Sequence, residues 1–369
     1  MRQHGRVRVA YTLEQCWHDV PGGTAVAALA LARELARRSD VELVGVSARH
    51  RGPAADGFEP PIPVKALPLP RTALYEAWRR LGWPPVERAT GAVDVVHATT
   101  IIVPPREHAP MVVTLHDLAF LHDPGSFTAH GVKAFMAGLA RMRRDAAAVL
   151  CSSQATLDDA RAAGLAPDRL RLVPLGLAPL GRPGPDEVRA SLARLGLRAP
   201  YLLFVGTLEP RKNLARLLDA HASLSATLSS AGSSPPELVV VGPRGWGEQP
   251  PAGHVRLLGF VDDATKAALY EGAQAVCYPS LREGFGLPVL EGMAHGTPVV
   301  TSRGTATEEV GGEAVVLVDP LDPADIARGI TEALDRRDEL SAAGPSRAAL
   351  FTWARTADAV VSAYRDVLP

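Results

Sequence analysis

One stretch in the last third of the chain places two carboxylates around a glycine loop. It reads REGFGLPVLE: Glu283 lies in the loop, and Glu291 follows on a helix whose start is marked by Pro288. The unpaired amides and the dipole at the start of a helix favour a diphosphate. A carboxylate accepts paired hydrogen bonds from vicinal hydroxyls, so we expect Glu283 to bind a transferred sugar and Glu291 to bind a ribose. A capping acid followed by an exposed helical Glu is the alternative.

A second stretch, VGTLEPRKN, joins a glycine turn to two adjacent cations. A buried strand turns at Gly206 and continues to Arg211 and Lys212, with Asn213 able to cap the helix that follows. Arg can bind a phosphate through two hydrogen bonds and Lys adds a point charge, which suits a diphosphate. Solvated surface charges are the alternative, but such charges have no reason to follow a glycine turn.

Two further patterns follow strands in the first half of the chain. Gly22 and Gly23, after the first strand, allow a ligand to approach the backbone at the start of a helix. A glycine turn with a Thr24 cap is the alternative. His116 and Asp117 follow an apolar run and are expected at the rim of the sheet. A structural His with a capping Asp would produce the same pair.

These four patterns resemble the retaining glycosyltransferases of the GT-B fold, specifically family 4, which includes many bacterial mannosyl- and glucosyltransferases. REGFGLPVLE resembles the E-x7-E motif of that family, and GTLEPRKNL resembles its diphosphate-contacting loop. PGGT and LHD resemble its N-terminal glycine loop and its acceptor-side histidine. The resemblance covers nearly the whole chain.

The resemblance implies roles for individual residues. The implied catalytic residues are His116, Asp117, Arg211, Lys212 and Glu283. The implied contacts of the nucleotide sugar are Gly22, Gly23, Gly206, Arg211, Lys212, Phe260, Val261, Glu283, Gly284, Phe285, Gly286, Leu287 and Glu291. Of these, Phe260 and Val261 would hold the nucleobase, chiefly through backbone groups. The resemblance implies no metal site and no cofactor beyond the GDP- or UDP-linked sugar that serves as substrate.

The chemistry expected at such a site is electrostatic. Breaking an anomeric bond to a diphosphate builds negative charge on phosphate and positive charge on the sugar ring. Arg211, Lys212 and loop amides would stabilise the leaving group without a divalent ion, and the sequence contains no Asp-x-Asp. The resemblance suggests substitution on the same face, in which a donor phosphate oxygen takes the acceptor proton. We expect Lys212→Ala to abolish most transfer and to leave folding intact.

The elements that carry these residues form two series. Short β-branched runs alternate with amphipathic stretches throughout, which is typical of βαβ units and a parallel sheet. The pattern stops at residues 175–186, a Gly- and Pro-rich linker expected to be part of a hinge. The predicted fold is α/β, with two doubly wound parallel-sheet (Rossmann-like) domains facing a cleft. Residues 1–178 form the acceptor-side domain, to which helix 353–369 returns, and 179–352 form the nucleotide-sugar domain.

Composition excludes several classes of protein. A formal net charge of −1 gives no general attraction to nucleic acid or anionic membrane, and an apolar content of 47% argues against extended disorder. Three widely separated cysteines indicate reduced thiols in a cytoplasmic protein. The N-terminus has no apolar signal core, and no stretch approaches the length of a membrane span. The sequence does not indicate an oligomeric state.

Peripheral contact with the inner face of a membrane stays open. The stretch from Lys133 to Ala147 is basic, and Trp78 and Trp83 lie in another N-terminal segment. A solvated basic face is favoured over an interfacial anchor.

The partners expected are a nucleotide-sugar donor and a glycan, lipid or small-molecule acceptor. GDP-mannose and UDP-sugars both remain candidate donors. The alternatives are a nucleotide-sugar epimerase or hydrolase of the same fold and a non-catalytic nucleotide-sugar-binding subunit.

Overall fold

The computed structural model of the chain describes residues 5–19, 21–178, 181–243, 245 and 255–369. The chain divides into two compact units: unit 1 comprises Met1–Gly176 and Thr352–Pro369, and unit 2 comprises Leu177–Phe351. The chain leaves unit 1 after Gly176 rather than after the predicted residue 178, and it returns at Thr352 rather than at 353. The first crossing falls inside the predicted linker, of which residues 179 and 180 lie outside the described residues.

In unit 1 the described residues form one seven-stranded sheet in which all pairings are parallel. Its strands are β1 (Val7–Thr12), β2 (Val41–Ser47), β3 (Val64–Ala66), β4 (Val95–Ala98), β5 (Met111–Leu115), β6 (Ala146–Cys151) and β7 (Leu170–Leu172). The strand order is β3-β2-β1-β4-β5-β6-β7. Most strands are apolar runs with little alternation because helices cover both faces of a parallel sheet.

The helices of unit 1 before the crossing are α1 (Gly22–Ala36), α2 (Arg71–Leu81), α3 (Glu87–Thr90), α4 (Ala119–His122), α5 (Ala129–Asp145) and α6 (Gln154–Ala162). Thr128 and Ser153 cap α5 and α6 with their side-chain oxygens, which fixes where these helices begin. No helix of the described part of the chain is both long and apolar enough to cross a lipid bilayer.

Unit 2 repeats the strand order of the first unit. Its strands are β8 (Tyr201–Val205), β9 (Glu237–Val241), β10 (Val255–Gly259), β11 (Ala273–Tyr278), β12 (Val299–Ser302) and β13 (Val316–Val318). The described residues pair them, all parallel, as β10-β9-β8-β11-β12-β13. The strand predicted from His254 is β10, which the structure describes from Val255. His254 itself lies outside the described residues.

The helices of unit 2 are α7 (Pro185–Arg194), α8 (Leu214–Ser230), α9 (Asp263–Gly272), α10 (Leu287–Ala294), α11 (Ala306–Gly311), α12 (Pro323–Asp335) and α13 (Arg337–Ala348). In both units the strand order reverses between the first and fourth strands of the sheet, β1 and β4 in unit 1 and β8 and β11 in unit 2. This reversal defines the doubly wound topology. Cys16, Cys151 and Cys277 are free and buried.

A last helix, α14 (Trp353–Asp366), belongs to unit 1. The Tyr364 hydroxyl lies 2.6 Å from Nδ1 of His97, a residue of β4. The Thr356 hydroxyl donates to the Pro174 carbonyl at 2.8 Å. At the surface, Arg365 pairs with Asp40 at 2.6 Å. Buried polar contacts and an ion pair thus hold the C-terminal helix in place.

His97 makes unit 1 sensitive to acid. Both ring nitrogens are engaged, by Tyr364 and by the Thr114 hydroxyl at 2.8 Å, and burial lowers the pKa of His97 to about 3. The imidazole is therefore neutral in the fold and gains a proton on unfolding below pH 6.5, its usual pKa. The contribution of His97 to the free energy of unfolding is fully present above that pH and falls below it, by roughly 1 kcal/mol between pH 7 and pH 5.5.

Urea unfolding at these two pH values tests the expectation. Tryptophan fluorescence reports mainly on unit 1, which contains Trp17, Trp78, Trp83 and Trp353 of the five tryptophans. His97→Gln should be less stable than the wild type at pH 7 and should lose less stability at pH 5.5. Equal losses in the two proteins would contradict the role of His97.

Candidate functional site

The site in unit 2 lies where the strand order reverses. The reversal falls between the neighbouring strands β8 and β11, and ligands of open α/β sheets bind beyond the carboxyl ends of such a pair. The loop after β8 carries Arg211 and Lys212, and the loop after β11 carries Glu283. A hydrogen bond from the Leu281 amide to the Arg211 carbonyl, 2.8 Å long, ties the two loops together.

The predicted cations and the predicted sugar ligand are in direct contact. Lys212 Nζ lies 2.6 Å from Glu283 Oε1, and Arg211 Nη1 lies 3.3 Å from Glu283 Oε2. Lys212 is only 8% exposed and Glu283 only 9%. The sequence predicts separate roles for these residues, whereas the structure joins them in one buried ion pair. A diphosphate that binds Lys212 must therefore compete with Glu283.

Burial and neighbouring charges act in opposite directions on Glu283. Burial raises the pKa of its carboxyl group, but the positive charges of Lys212 and Arg211 outweigh burial and lower the pKa to about 2. Burial lowers the pKa of Lys212, which the Glu283 charge opposes and the Arg211 charge reinforces. Glu283 is therefore ionised at neutral pH and can accept hydrogen bonds from sugar hydroxyls.

Two further residues contact this ion pair: Glu209, which lies inside the VGTLEPRKN stretch but was not predicted as a site residue, and Tyr278, for which no motif gave a signal. Glu209 Oε2 lies 2.8 Å from Arg211 Nε. Lys212 Nζ donates to the Tyr278 hydroxyl at 2.6 Å, and that hydroxyl donates to Glu283 Oε1 at 3.0 Å.

The sequence predicts that the Asn213 side chain can cap α8, but in the structure it makes no capping hydrogen bond. Asn213 has a φ of 61°, and its Nδ2 donates to the carbonyls of Pro279 and Pro320, at 2.9 and 2.6 Å. The side chain thus joins the loop after β8 to the loops after β11 and β13. Asn adopts the left-handed conformation more readily than most residues, which suits this sharp turn.

Helix α10 begins as the sequence predicts. Pro288 is its second residue, and Gly286, with a φ of 109°, is the N-cap. A Cβ on Gly286 would lie 2.7 Å from Thr307 Cγ2, so space as well as backbone conformation requires glycine here. The backbone at Phe285, Gly286 and Leu287 lies at the positive end of α10, next to the loop that holds Glu283.

Glu291, the predicted ribose ligand, is held by α9. Its carboxylate accepts hydrogen bonds from Lys266 Nζ at 3.1 Å and from the Tyr270 hydroxyl at 2.8 Å. Helix α9 starts just after Phe260 and Val261, the predicted nucleobase contacts, and Phe260 is 73% exposed. The contacts of Glu291 thus link the second acid of the motif to the helix that follows the predicted nucleobase loop.

Glycines end three neighbouring strands of this sheet: Gly206 after β8, Gly242 after β9 and Gly259 in β10. A Cβ on Gly206 would make only ordinary contacts, the nearest at 3.7 Å. A Cβ on Gly242, which has a φ of 143°, would lie 2.0 Å from the Gly206 carbonyl oxygen. Gly242 is therefore the position where the packing demands glycine, and its signal was the end of the strand ELVVVG.

The glycine turn of unit 1 lies at the start of a helix as predicted, and the alternative of a Thr24 cap is wrong. Helix α1 begins at Gly22, which has a φ of 66°, so Thr24 is the third helical residue and not a cap. Apart from the adjacent residues and the backbone of α1 itself, no described residue has an atom within 4 Å of a Cβ built on Gly22 or Gly23. The backbone at this helix start is therefore accessible, as close contact with a ligand requires.

His116 and Asp117 follow β5 as predicted. His116 Nε2 lies 3.2 Å from the Thr99 carbonyl, and the His116 carbonyl accepts from the Ser152 hydroxyl at 2.9 Å. Burial lowers the pKa of His116, although the Asp117 charge and the Thr99 hydrogen bond oppose the shift. Asp117 Oδ1 accepts the amide of Ala119, the first residue of α4, at 3.0 Å, but the N-cap of that helix is Leu118 and not Asp117.

The structure thus gathers Arg211, Lys212 and Glu283 at one place in unit 2, with the start of α10 beside them. Glu291 lies further along α10 and contacts α9. Gly22, Gly23, His116 and Asp117 belong to unit 1. Among the described residues, no group of three or more His, Cys, Asp or Glu is arranged to hold a metal ion.

Two protein families match the chain. Glycosyltransferase Family 4 matches residues 21–179, which include the glycine turn and His116. Glycosyl transferases group 1 matches residues 199–336, which include both acids and both cations of the unit 2 site.

Curated relatives cover different shares of the chain. Escherichia coli O-antigen chain mannosyltransferase B is 36% identical over 177 residues, 45% of this chain and 45% of that protein. Acidothermus cellulolyticus D-inositol 3-phosphate glycosyltransferase is 30% identical over 401 residues, 94% of this chain and 86% of that protein. The chain spans about half the length of the first two relatives, namely 45% of the Escherichia coli protein and 51% of the Geodermatophilus obscurus D-inositol 3-phosphate glycosyltransferase.

Solved structures match along nearly the whole chain. Anabaena HepE in complex with UDP and glucose has a TM-score of 0.72 and 18% identity, covering 98% of this chain and 100% of that chain. Sucrose-phosphate synthase from Thermosynechococcus elongatus has a TM-score of 0.73 and 22% identity, covering 98% and 99%. At these identities the likeness concerns the fold, and with the two parallel sheets it confirms the predicted GT-B fold class.

Proposed function

The chain belongs to glycosyltransferase family 4 among the group 1 glycosyl transferases, and from this premise we propose that it transfers a hexose from a nucleotide diphosphate sugar to an acceptor hydroxyl with retention of configuration. The acceptor is a glycan, a lipid or a small molecule. The observation that carries the proposal is the contact of Lys212 and Arg211 with the ionised Glu283 beside the start of α10. In this arrangement the cations and the helix amides can bind a diphosphate. The carboxylate can accept hydrogen bonds from a sugar hydroxyl.

In the proposed reaction each group has one task. Lys212, Arg211 and the backbone at the start of α10, from Gly284 to Leu287, stabilise the diphosphate as it leaves the anomeric carbon. Glu283 orients the sugar, and Glu291 binds the ribose. A phosphate oxygen of the donor takes the proton of the acceptor hydroxyl, and the acceptor bonds to the face that the phosphate leaves. His116 contacts the sugar or the departing phosphate, and Gly23 borders the phosphates.

The metal-independent reaction rests on the same residues. The sequence has no Asp-x-Asp, and in the proposed reaction Arg211 and Lys212, which both contact Glu283, supply the positive charge that a divalent ion would otherwise supply. We expect transfer to persist in excess EDTA, with turnover within about twofold of the untreated enzyme. The product should retain the anomeric configuration of the donor, which proton NMR of the new linkage measures. Loss of activity in EDTA that Mg²⁺ restores would contradict the proposal.

The donor is the first property to determine. The curated relatives include a mannosyltransferase, and HepE has been solved with UDP-glucose, so we propose mannose from GDP-mannose or glucose from a UDP-sugar. Thermal shift with GDP-, UDP- and ADP-sugars tests this choice. The best donor should raise the melting temperature and should do so less in Glu291→Ala, because the ribose ligand is lost.

The two alternatives make different products. An epimerase returns a nucleotide sugar with altered stereochemistry, and a hydrolase releases free sugar. A silent binding subunit releases neither product. Radiolabelled donor incubated with a panel of glycan, lipid and small-molecule acceptors separates these outcomes from transfer.

We propose a cytoplasmic location in which the basic face of α5 is solvated rather than inserted in a membrane. Trp78 is buried and donates from Nε1 to the Pro84 carbonyl at 2.9 Å, so it is not available to an interface. Arg144 pairs with Asp145 at 2.7 Å. Trp83, 44% exposed, is accessible. Flotation with phosphatidylglycerol vesicles should leave the protein at the bottom of the gradient, and flotation would instead favour peripheral contact.

A further inference from the structure

Tyr278 stands between the two charged groups of the unit 2 site. It is the last residue of β11 and is buried. Its hydroxyl accepts a hydrogen bond from Lys212 Nζ at 2.6 Å and donates one to Glu283 Oε1 at 3.0 Å. Lys212 Nζ also donates directly to Glu283 Oε1 at 2.6 Å, so the three groups form a closed triangle.

A phenol suits this place because it can accept from one neighbour and donate to the other at the same time. A ligand phosphate that attracts Lys212 removes a donor from Glu283 Oε1, but the Tyr278 hydroxyl still donates there. A sugar hydroxyl that engages Glu283 leaves Lys212 with the same phenolic acceptor. Neither buried charge is left unpaired when its partner turns to the ligand, and an unpaired buried charge is strongly unfavourable.

We propose that Tyr278 is a positioning residue, which holds the Lys212 ammonium and the Glu283 carboxylate so that one binds diphosphate while the other binds sugar. The inference rests on the proposed function and deepens it. Tyr278 itself touches neither the diphosphate nor the sugar in this scheme. It acts through its two neighbours.

The charged groups around the triangle give the inference a pH signature. Lys212 faces Glu283, Arg211 and Glu209, and Glu283 faces Lys212 and Arg211. Without the phenol, Lys212 loses an acceptor and its pKa falls, while Glu283 loses a donor and its pKa rises. A protonated Lys212 is needed to bind diphosphate. The alkaline limit of nucleotide diphosphate binding should therefore move to lower pH.

Calorimetric titration with GDP and with UDP between pH 6 and pH 9.5 tests this expectation. Tyr278→Phe should bind the preferred nucleotide about tenfold more weakly than the wild type at pH 9, and within about threefold at pH 7. Tyr201→Phe is the matched control. Its hydroxyl is also buried in this sheet, on β8, and donates to the Leu269 carbonyl at 2.7 Å, away from the charged groups. The control should bind like the wild type at both pH values.

A second variant separates positioning from packing. The Tyr278→Gln amide can accept from Lys212 and donate to Glu283, but it fills the buried space less well than the Phe ring does. If Tyr278 acts by positioning, Gln should bind nucleotide at pH 9 more tightly than Phe despite lower thermal stability. If the ring only packs, the order should reverse.

The outcomes distinguish the inference from the function on which it rests. If the wild type binds neither GDP nor UDP, the proposed function fails. If the wild type binds and Tyr278→Phe has the same pH dependence as Tyr201→Phe, the proposed function stands and the role of Tyr278 is overturned. The inference is supported if the alkaline limit of binding moves to lower pH in Tyr278→Phe and if Tyr278→Gln binds nucleotide more tightly than Tyr278→Phe at pH 9.

Discussion

Lys212→Met is expected to lower kcat/KM for the sugar donor by about a thousandfold, the largest loss we expect from one substitution. Lys212 supplies a buried positive charge where the leaving diphosphate develops negative charge, and removal of one such group typically lowers the rate by about a hundredfold to a thousandfold. Steady-state kinetics with the preferred donor measure this loss. Arg256→Met, which removes a cation paired with Glu237 at 3.0 Å elsewhere in unit 2, should retain normal turnover.

The structure adds a loss of stability that the sequence did not predict. Lys212 is buried against Glu283, so removing the lysine leaves a buried carboxylate whose remaining ion-pair partner, among the described residues, is Arg211. Breaking a buried pair in this way typically lowers the free energy of unfolding by about 3 kcal/mol. The double variant Lys212→Met with Glu283→Gln should regain part of this stability and none of the activity. Recovery of turnover in the double variant would contradict the catalytic role of Lys212.

Glu283→Gln is expected to separate nucleotide binding from sugar transfer. The amide keeps the size of the side chain but removes the charge that competes with diphosphate for Lys212. GDP or UDP should therefore bind at least as tightly as to the wild type. Transfer should fall by about a hundredfold, because a charge-assisted hydrogen bond to the sugar is lost. Calorimetry with the nucleotide and kinetics with the whole donor measure the two effects.

A matched control is available on α9. Glu271 is a partly buried carboxylate that lies 3.0 Å from His295 Nδ1 and takes no part in the proposed reaction. Glu271→Gln should change neither nucleotide affinity nor transfer. Parallel losses of nucleotide affinity and turnover in Glu283→Gln would mean that Glu283 only supports the loop.

The fold could be predicted from the sequence because strands and helices differ in the spacing of their apolar residues. Runs such as ELVVV and YLLFV are apolar at almost every position, which in a parallel sheet reflects cover on both faces. The start of α10 was also predictable, since Pro288 and the preceding glycines mark a helix N-terminus. These features depend on residues that are close together in the chain.

The contacts within the site could not be predicted in the same way. Lys212 and Glu283 meet because β8 and β11 are neighbours, and no local pattern states which strands pair. Tyr278 reads as one more apolar residue of its strand until the loop after β8 is placed against it. Asn213 is a residue type that commonly caps helices, but it has a φ of 61° and its side chain donates hydrogen bonds to two other loops instead. Tertiary contacts decided these three cases.

The path of the chain has a consequence for the modularity of the protein. Unit 2 is an insertion between two parts of unit 1, and its ends meet: the Leu177 amide donates to the Phe351 carbonyl at 3.0 Å. On the other side of the crossing, a Cβ on Gly176 would lie 2.2 Å from the Trp353 amide nitrogen, so the flanking ends of unit 1 also lie side by side. The first and last residues of the segment 177–351 are thus neighbours, as are the residues of unit 1 that flank it, which is the geometry typical of a domain inserted into another.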